Sequence, residues 1–399
     1  MTSLNGQGWR TPAVFLMIAQ AAMQISFAAW WTLLNNYAVE VLHTTGSEFG
    51  LQQSIREIPG LLAFSVVLWL LLMREQTLAL AALALQGVGV ALTGYFPTLT
   101  GFYVTTLLMS FGFHYFEAMN QSLALQWFDK RDAAVWLGRI VAVGAFAQLA
   151  VYAAVFLGFR TVSVGYDLAF AIAGGLTIVV TAILAFGFPH YPQAAQQHTK
   201  MVLRPRYWLY YALTFMYGAR RQIFTVFAGF MMVTKFKFAV HEMALLYLAN
   251  CVFNMLFAPK LGALIARFGE RWSITIENLL LIGVFLGYAV VGNPWIAALL
   301  YVTDGALMTF DIAVRTYFQK IGDAADMAGT AGVGSSINHI AAVFIPVGLG
   351  LIWTGNPEWV FLIGAGFAVT SLVLGRLVPA HPQPGHETVL ARPAMKPAE

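Results

Sequence analysis

The chain has 399 residues, of which 59% are hydrophobic and only 10% charged, and its mean hydropathy is +0.71. Soluble proteins carry roughly 45–50% apolar and about 25% charged residues. Too few charges are present to coat a water-exposed surface of this size, so a polytopic membrane protein is expected. The formal charge of +4 comes from lysines and arginines spread over short segments between apolar runs, with no basic cluster, which argues against nucleic-acid binding.

The first apolar run, Thr11 to Val39, is charge-free for 29 residues. That is too long for the apolar core of a cleavable signal, so it reads as a retained span. A helix crossing ~30 Å of hydrocarbon needs about 20 residues. Segmenting the chain at charges, Pro/Gly turns and polar clusters predicts twelve spans: 12–39, 47–72, 77–96, 99–127, 133–159, 167–188, 207–234, 241–266, 272–291, 295–318, 327–353 and 358–378. Two boundaries interrupt long apolar stretches, at Pro97 and at Gly292-Asn293-Pro294, where these residues favour a turn. No ten-residue segments of alternating polarity occur, so a membrane barrel is not expected. The predicted fold class is all-α. Cys251 sits alone in an apolar run, so it forms neither an intramolecular disulfide nor a thiolate cluster.

Lysine and arginine bias orients the spans. With the N-terminus inside, cytoplasmic segments hold thirteen: Arg10, Arg74, Lys130, Arg131, Lys200, Arg204, Arg206, Arg267, Arg271, Lys320, Arg376, Arg392 and Lys396. Outer loops hold three, Arg160, Lys235 and Lys237. The split predicts an even number of spans in a cell (inner) membrane, with both termini cytoplasmic. The longest connection, Pro189 to Arg206, divides the chain into two six-span halves, 1–188 and 207–378, and a polar tail, 379–399, is expected to be disordered. The halves echo each other weakly. Phe116-Glu117 recurs as Phe310-Asp311, Asp132 as Asp326, and Pro59 in the second span as Pro259 in the eighth. A duplicated bundle would produce such echoes.

The stretch Gly262-Ala263-Leu264-Ile265-Ala266-Arg267-Phe268-Gly269-Glu270-Arg271 resembles the G-x-x-x-D-R-x-G-x-R loop of the major facilitator superfamily, with Ala266 where the acid usually stands. The corresponding first-half loop, Arg74-Glu75-Gln76, does not match. Gly218–Phe224, Arg315–Asp326 and Ser336–Val347 resemble a bacterial subgroup of these carriers whose substrate is unassigned. The resemblance implies twelve helices in two pseudo-symmetric six-helix bundles. It also implies a gating loop containing Gly262, Arg267, Gly269 and Arg271, and a central cavity lined by spans one, four, seven and ten.

Ionisable side chains in hydrocarbon cost at least ~2.5–3.5 kcal/mol each at a helix centre, and persist where they meet a partner or water. Span two places Arg56-Glu57 near the midplane. Adjacent helical positions differ by about 100° and do not face each other, so each is expected to find a partner on another helix, and Pro59-Gly60 is expected to weaken the helix beyond them. Span four carries His114, Glu117 and Gln121 on one face, with Asn120 beside it. Span seven carries Arg220-Arg221-Gln222, whose guanidinium forks suit a carboxylate or phosphate, or an interhelical bridge to Asp304 or Glu57. Span ten carries Asp304, Asp311 and Arg315 on one face. Asp311 and Arg315 are one turn apart and can neutralise each other, leaving Asp304 the freer carboxylate. Span eleven carries Asn338-His339 near its centre. In span one, Gln20, Gln24, Asn35 and Asn36 offer polar contacts, and Trp30 and Trp31 offer stacking surfaces.

These residues predict a secondary carrier of a small anionic, zwitterionic or amphipathic organic solute, working as a monomer by alternating access without a cofactor or metal. Expected solute contacts are Arg220, Arg221, Gln24, Trp30, Asn36, Arg56, Asp304 and His339. Expected proton-coupling groups are Glu117, Asp311, Glu57 and His114. No G-x-x-x-x-G-K-[ST] stretch is present to bind a nucleotide. An intramembrane transferase using His114 or His339 as base, and a sensor that does not transport, are the alternatives.

Overall fold

The computed structural model describes residues 9–128, 133–162, 164–192, 203–323 and 326–390. Lys130, Arg131, Asp132, Lys200, Arg392, Lys396 and the middle of the Pro189–Arg206 connection lie outside these residues. Within lipid every backbone polar group needs an internal partner, which a helix supplies. The described residues accordingly form helices and turns, with a single isolated bridge between Gln383 and His386.

Among the described residues, twelve helical segments follow the predicted spans closely. Span 1 is Pro12–Asn36, continued by a π-helical turn Tyr37–Val41. Span 2 is Gly46–Leu61, a 3-10 turn Ala63–Ser65, and Val66–Leu70. Spans 3 to 6 are Glu75–Thr93, Leu99–Trp127, Ala133–Leu157 with a π-helical turn Gly158–Val162, and Tyr166–Gly187. Span 7 is Trp208–Gln222, a π-helical turn Ile223–Ala228, and Gly229–Thr234. Spans 8 and 9 are Val240–Phe268 and Glu270–Val290. Span 10 is Pro294–Leu307, a 3-10 turn Met308–Phe310, and Asp311–Ile321. Spans 11 and 12 are Met327–Gly355 and Pro357–Arg376. Nine of these segments are long and apolar enough to cross a membrane on composition alone. The other three are spans 2 and 7, which are interrupted, and span 4, which carries a row of polar side chains.

The ends are set by local chemistry. Thr11 Oγ1 accepts from Val14 N at 3.3 Å ahead of Pro12, and Asn293 Oδ1 accepts from Trp295 N at 2.8 Å ahead of Pro294. Each is a side-chain N-cap with proline in the first turn. Pro59 removes one backbone donor inside span 2, and the α-helix stops at Leu61. Gly269, with φ of 81°, makes the turn between spans 8 and 9, a left-handed conformation that favours glycine.

Contacts divide the chain into two compact units. The first comprises Met1–Thr44, Ile55–Gln196 and Phe238–Leu248, and the second Thr45–Ser54, Gln197–Lys237 and Ala249–Glu399. The division differs from a simple cut in the central connection, because the first turns of spans 2 and 8 pack with the opposite half. In the second unit, Phe49 stacks on Phe230 with centroids 4.4 Å apart, and Ser47 N donates to Thr354 Oγ1 at 3.2 Å. In the first unit, Asn36 Nδ2 donates to the Phe238 carbonyl at 2.8 Å.

The first unit is built on Phe15, Leu16, Met23, Leu83, Phe116 and Leu184 from spans 1, 3, 4 and 6. Spans 3 and 4 approach closely because Gly89 and Gly112 face each other's backbone: an added Cβ would collide with Met109 and Gln86 respectively. Such small-residue contacts are how helices associate in lipid. The start of the tail departs from expectation. Tyr317 Oη donates to the Glu387 carbonyl at 2.5 Å, and Val389 N donates to the Leu377 carbonyl at 2.9 Å. Glu387 and Thr388 are buried, so 379–390 docks on the second unit rather than being disordered, and 391–399 lies outside the described residues.

Candidate functional site

Each unit carries its own set of polar side chains. In the first, Arg56 and Glu57 of span 2 are both buried and pair with each other at 2.5 Å. This corrects the expectation that adjacent positions on the helix do not pair well with each other. Their Cβ atoms diverge, but both side chains are long enough to bend back across the offset. The Arg56 guanidinium also lies 5.1 Å from the Trp31 ring centre, a favourable cation–π arrangement. Ser110 of span 4 hydrogen-bonds the Arg56 carbonyl, one helical turn before Pro59.

On span 4, His114 and Asn120 are buried while Glu117 is exposed, so the predicted face is not uniform. Asn120 Nδ2 donates to Gln20 Oε1 at 2.8 Å. Gln24 is half-buried, and its Oε1 has no hydrogen-bond partner among the described residues. Trp30 is fully buried, with its indole N–H unpartnered in the same sense. Asn36 gives its amide to Glu40 Oε1 and to the Phe238 carbonyl, both at 2.8 Å. Its donors are therefore spent on the fold rather than presented to a solute.

The second unit holds the more unusual arrangement. Arg220 of span 7 is 2% exposed, and its Nη2 donates to Glu277 Oε1 of span 9 at 3.1 Å. Arg220 Nε and Nη1, and Glu277 Oε2, have no partner among the described residues. The guanidinium carbon lies 5.7 Å from the Tyr217 ring centre. Arg220 sits just before the π-helical turn Ile223–Ala228, a local widening often found at functional positions. Neither expected bridge, to Asp304 or to Glu57, is the hydrogen-bonded one. The partner is Glu277, a lone acid in the apolar run of span 9 that sequence reasoning passed over, although its isolation in hydrocarbon was a visible signal.

Asp304 of span 10 is 0% exposed, and both its carboxylate oxygens lack a hydrogen-bond partner among the described residues. It lies within electrostatic reach of Arg220 and Glu277. Asp311 instead pairs with Arg315 at 2.5 Å, with Arg315 78% exposed. The single face expected for Asp304, Asp311 and Arg315 does not persist, because the 3-10 turn Met308–Phe310 lies between them. Three residues at 3.0 rather than 3.6 per turn rotate the helix beyond them by roughly 60°. Arg221 and His339 are half-buried. Gly218 leaves room for Asn338, whose Oδ1 would sit 2.8 Å from an added Cβ.

In the loop between spans 8 and 9, Arg267 is exposed and Gly262 half-buried. The ion pair there uses neither Arg267 nor Arg271. Glu270, 3% exposed in its side chain, holds Lys320 Nζ at 2.7 Å. Nearby, Arg204 Nε and Nη2 each donate to Asp326 at 3.1 Å, which holds the Asp326 carboxyl below the usual carboxylate range.

The fold is shared with known membrane proteins. The nucleoside transporter NupG, in a mutant form, superposes with a TM-score of 0.76 at 17% identity, over 92% of this chain and 99% of its own. A bacterial homologue of the human lysosomal transporter Spinster gives 0.74 at 12% identity, over 91% and 95%. The POT family transporter PepTSo gives 0.70 at 13% identity, over 92% and 97%. Among curated proteins, none matches the chain in sequence. The family model of the Major Facilitator Superfamily matches residues 16–346. Taken with twelve helical segments and buried charge on spans 2, 7, 9 and 10, this match places the chain in the major facilitator superfamily.

Proposed function

We propose that the protein is a proton-coupled secondary carrier of a small organic solute with an anionic group, presenting its binding residues to each side of the membrane in turn. The observation that carries this reading is Arg220. A guanidinium offers five N–H donors in a fixed fork, and here a buried one gives a single nitrogen to Glu277 while Nε and Nη1 remain without partner among the described residues. Leaving buried donors unmade is costly, and a carboxylate or phosphate of the solute would complete them in the bidentate geometry that suits arginine. Arg221 and His339 of the same unit are further contacts in this reading, while Arg56 pairs with Glu57 of its own helix and lies over the Trp31 ring of span 1. The proton gradient supplies the energy through carboxylates held in spans.

The test is reconstitution in liposomes after a thermal-shift screen of organic carboxylates, phosphates, zwitterions and cations. Stabilisation by an anionic class, followed by counterflow of its labelled member, is the expected result. Stabilisation by cations alone would overturn the anionic assignment, and chemical turnover without vectorial movement would overturn the carrier.

A further inference from the structure

Four acids of the expected site differ in how their charge is met. Glu57 is closed on Arg56 at 2.5 Å, Asp311 on Arg315 at 2.5 Å, and Glu117 is exposed. Asp304 alone of these four is fully buried with neither oxygen hydrogen-bonded among the described residues. The titratable groups within electrostatic reach of it are Arg220 from span 7 and Glu277 and Tyr288 from span 9. On its own span, the neighbouring Gly305 packs against the neutral Asn250 of span 8.

The charge count is one arginine against two carboxylates. Arg220 already donates to Glu277, so an ionised Asp304 would leave one negative charge in excess in a desolvated interior. A buried carboxylate without hydrogen bonds neutralises by taking a proton. A cavity of about 300 Å³ is lined by Met231, Lys235, Tyr288, Trp353 and Glu358, among others, so Tyr288 borders this cavity and lies within electrostatic reach of Asp304. The Tyr288 hydroxyl is itself without a hydrogen-bond partner among the described residues.

We propose that Asp304 carries the coupling proton, neutral in the closed interior described here and ionised when its surroundings open to water, with Tyr288 at the point of access. This rests on the proton-coupled reading above and moves the coupling role from Glu117, Asp311, Glu57 and His114 to Asp304. The proton arrives from water on one carboxylate oxygen and leaves to water by the same bond, so no other bond changes. The Arg220–Glu277 pair keeps its charge throughout and balances itself.

The experiment uses the purified full chain with pH as the only variable, read by infrared difference spectroscopy of the protonated-carboxyl C=O stretch. The expected result is a band present near neutral pH and lost on alkalinisation. It should be absent in Asp304→Asn, displaced in Asp304→Glu, and retained in Glu117→Gln and Asp311→Asn. The glutamate variant keeps the test informative should the asparagine variant fold poorly. Loss of the band in Glu117→Gln or Asp311→Asn, with retention in Asp304→Asn, overturns the assignment and leaves proton coupling standing. Absence of any titrating carboxyl band in the native protein overturns both.

Discussion

Arg220 and Glu277 meet at 3.1 Å with side chains 2% and 1% exposed, joining spans 7 and 9 inside the second unit. Removing one partner of a buried pair leaves the other charge uncompensated, which typically costs about 3–5 kcal/mol, whereas replacing both with apolar residues is often neutral or stabilising. Glu277→Gln should therefore lower the melting temperature sharply, and Arg220→Met with Glu277→Leu should recover most of the loss. A double-mutant cycle in detergent measures the coupling. Because Asp304 lies within electrostatic reach of Arg220, it should ionise as the counter-charge once Glu277 is neutralised, and adding Asp304→Asn to Glu277→Gln should deepen the defect. Equal melting temperatures in all variants would mean that the pair does not hold these spans.

Asp326 predicts an acid dependence of stability outside the spans. Its carboxylate accepts two hydrogen bonds from Arg204 and one from Tyr207 Oη at 3.3 Å, and its pKa is lowered chiefly by the Arg204 hydrogen bonds. A carboxyl with a depressed folded-state pKa binds protons less readily folded than unfolded. The stability it contributes is complete above the unfolded value, about 3.9, and is lost as pH falls below that toward the folded value. Melting temperature should therefore drop in this acid range more steeply in the native protein than in Asp326→Asn. The two curves should run parallel at neutral pH.

Span boundaries were legible because the residues that end helices act locally. Thr11-Pro12, Thr98, Gly269 and Asn293-Pro294 fall at observed helix ends, and each acts through its own backbone. The site was less legible wherever a partner lies on another helix or the helix changes pitch. Glu277 sits in an apolar run with nothing nearby to mark it as the partner of Arg220, 57 residues away. The common face of Asp304 and Asp311 assumed an unbroken helix, and Met308–Phe310 breaks it. Arg56 and Glu57 show the reverse failure. An angular rule for helix positions ignores the reach of side chains with several rotatable bonds.

Gly112 tests the close approach of spans 3 and 4. An added Cβ would collide with the Gln86 backbone, which cannot give way as a flexible side-chain tip can. The Gln86 side chain is itself tied to span 1, donating to the Met23 carbonyl and to Ser26 Oγ at 2.9 Å each. Gly112→Val should therefore displace span 3 and strain its tie to span 1. Overpacking of this kind costs about 1–3 kcal/mol, and more where backbone must move. Gly138, inside span 5 with nothing near its position, is the control: Gly138→Ala should raise stability by about 0.5–1 kcal/mol, the helix-propensity gain of alanine over glycine. Thermal unfolding of both variants in one detergent makes the comparison.

The loop between spans 8 and 9 gives a last contrast, between the residues its motif emphasises and the ion pair it contains. Arg267 is exposed and lies 5.5 Å from the Phe268 ring centre, so Arg267→Gln should change stability by no more than about 0.5 kcal/mol. Glu270 is different. Its side chain is 3% exposed, it opens span 9, and both its oxygens contact Lys320 Nζ, at 2.7 and 2.9 Å. The helix N-terminus favours this carboxylate, but its burial makes the Lys320 contact matter. Lys320→Met should cost about 1–3 kcal/mol, the scale for leaving a buried charged group short of a hydrogen bond, and Glu270→Gln together with Lys320→Met should cost less than Lys320→Met alone. Thermal unfolding of the three variants at one pH separates these outcomes. A larger loss for Arg267→Gln than for Lys320→Met would return the structural role to the arginine of the motif.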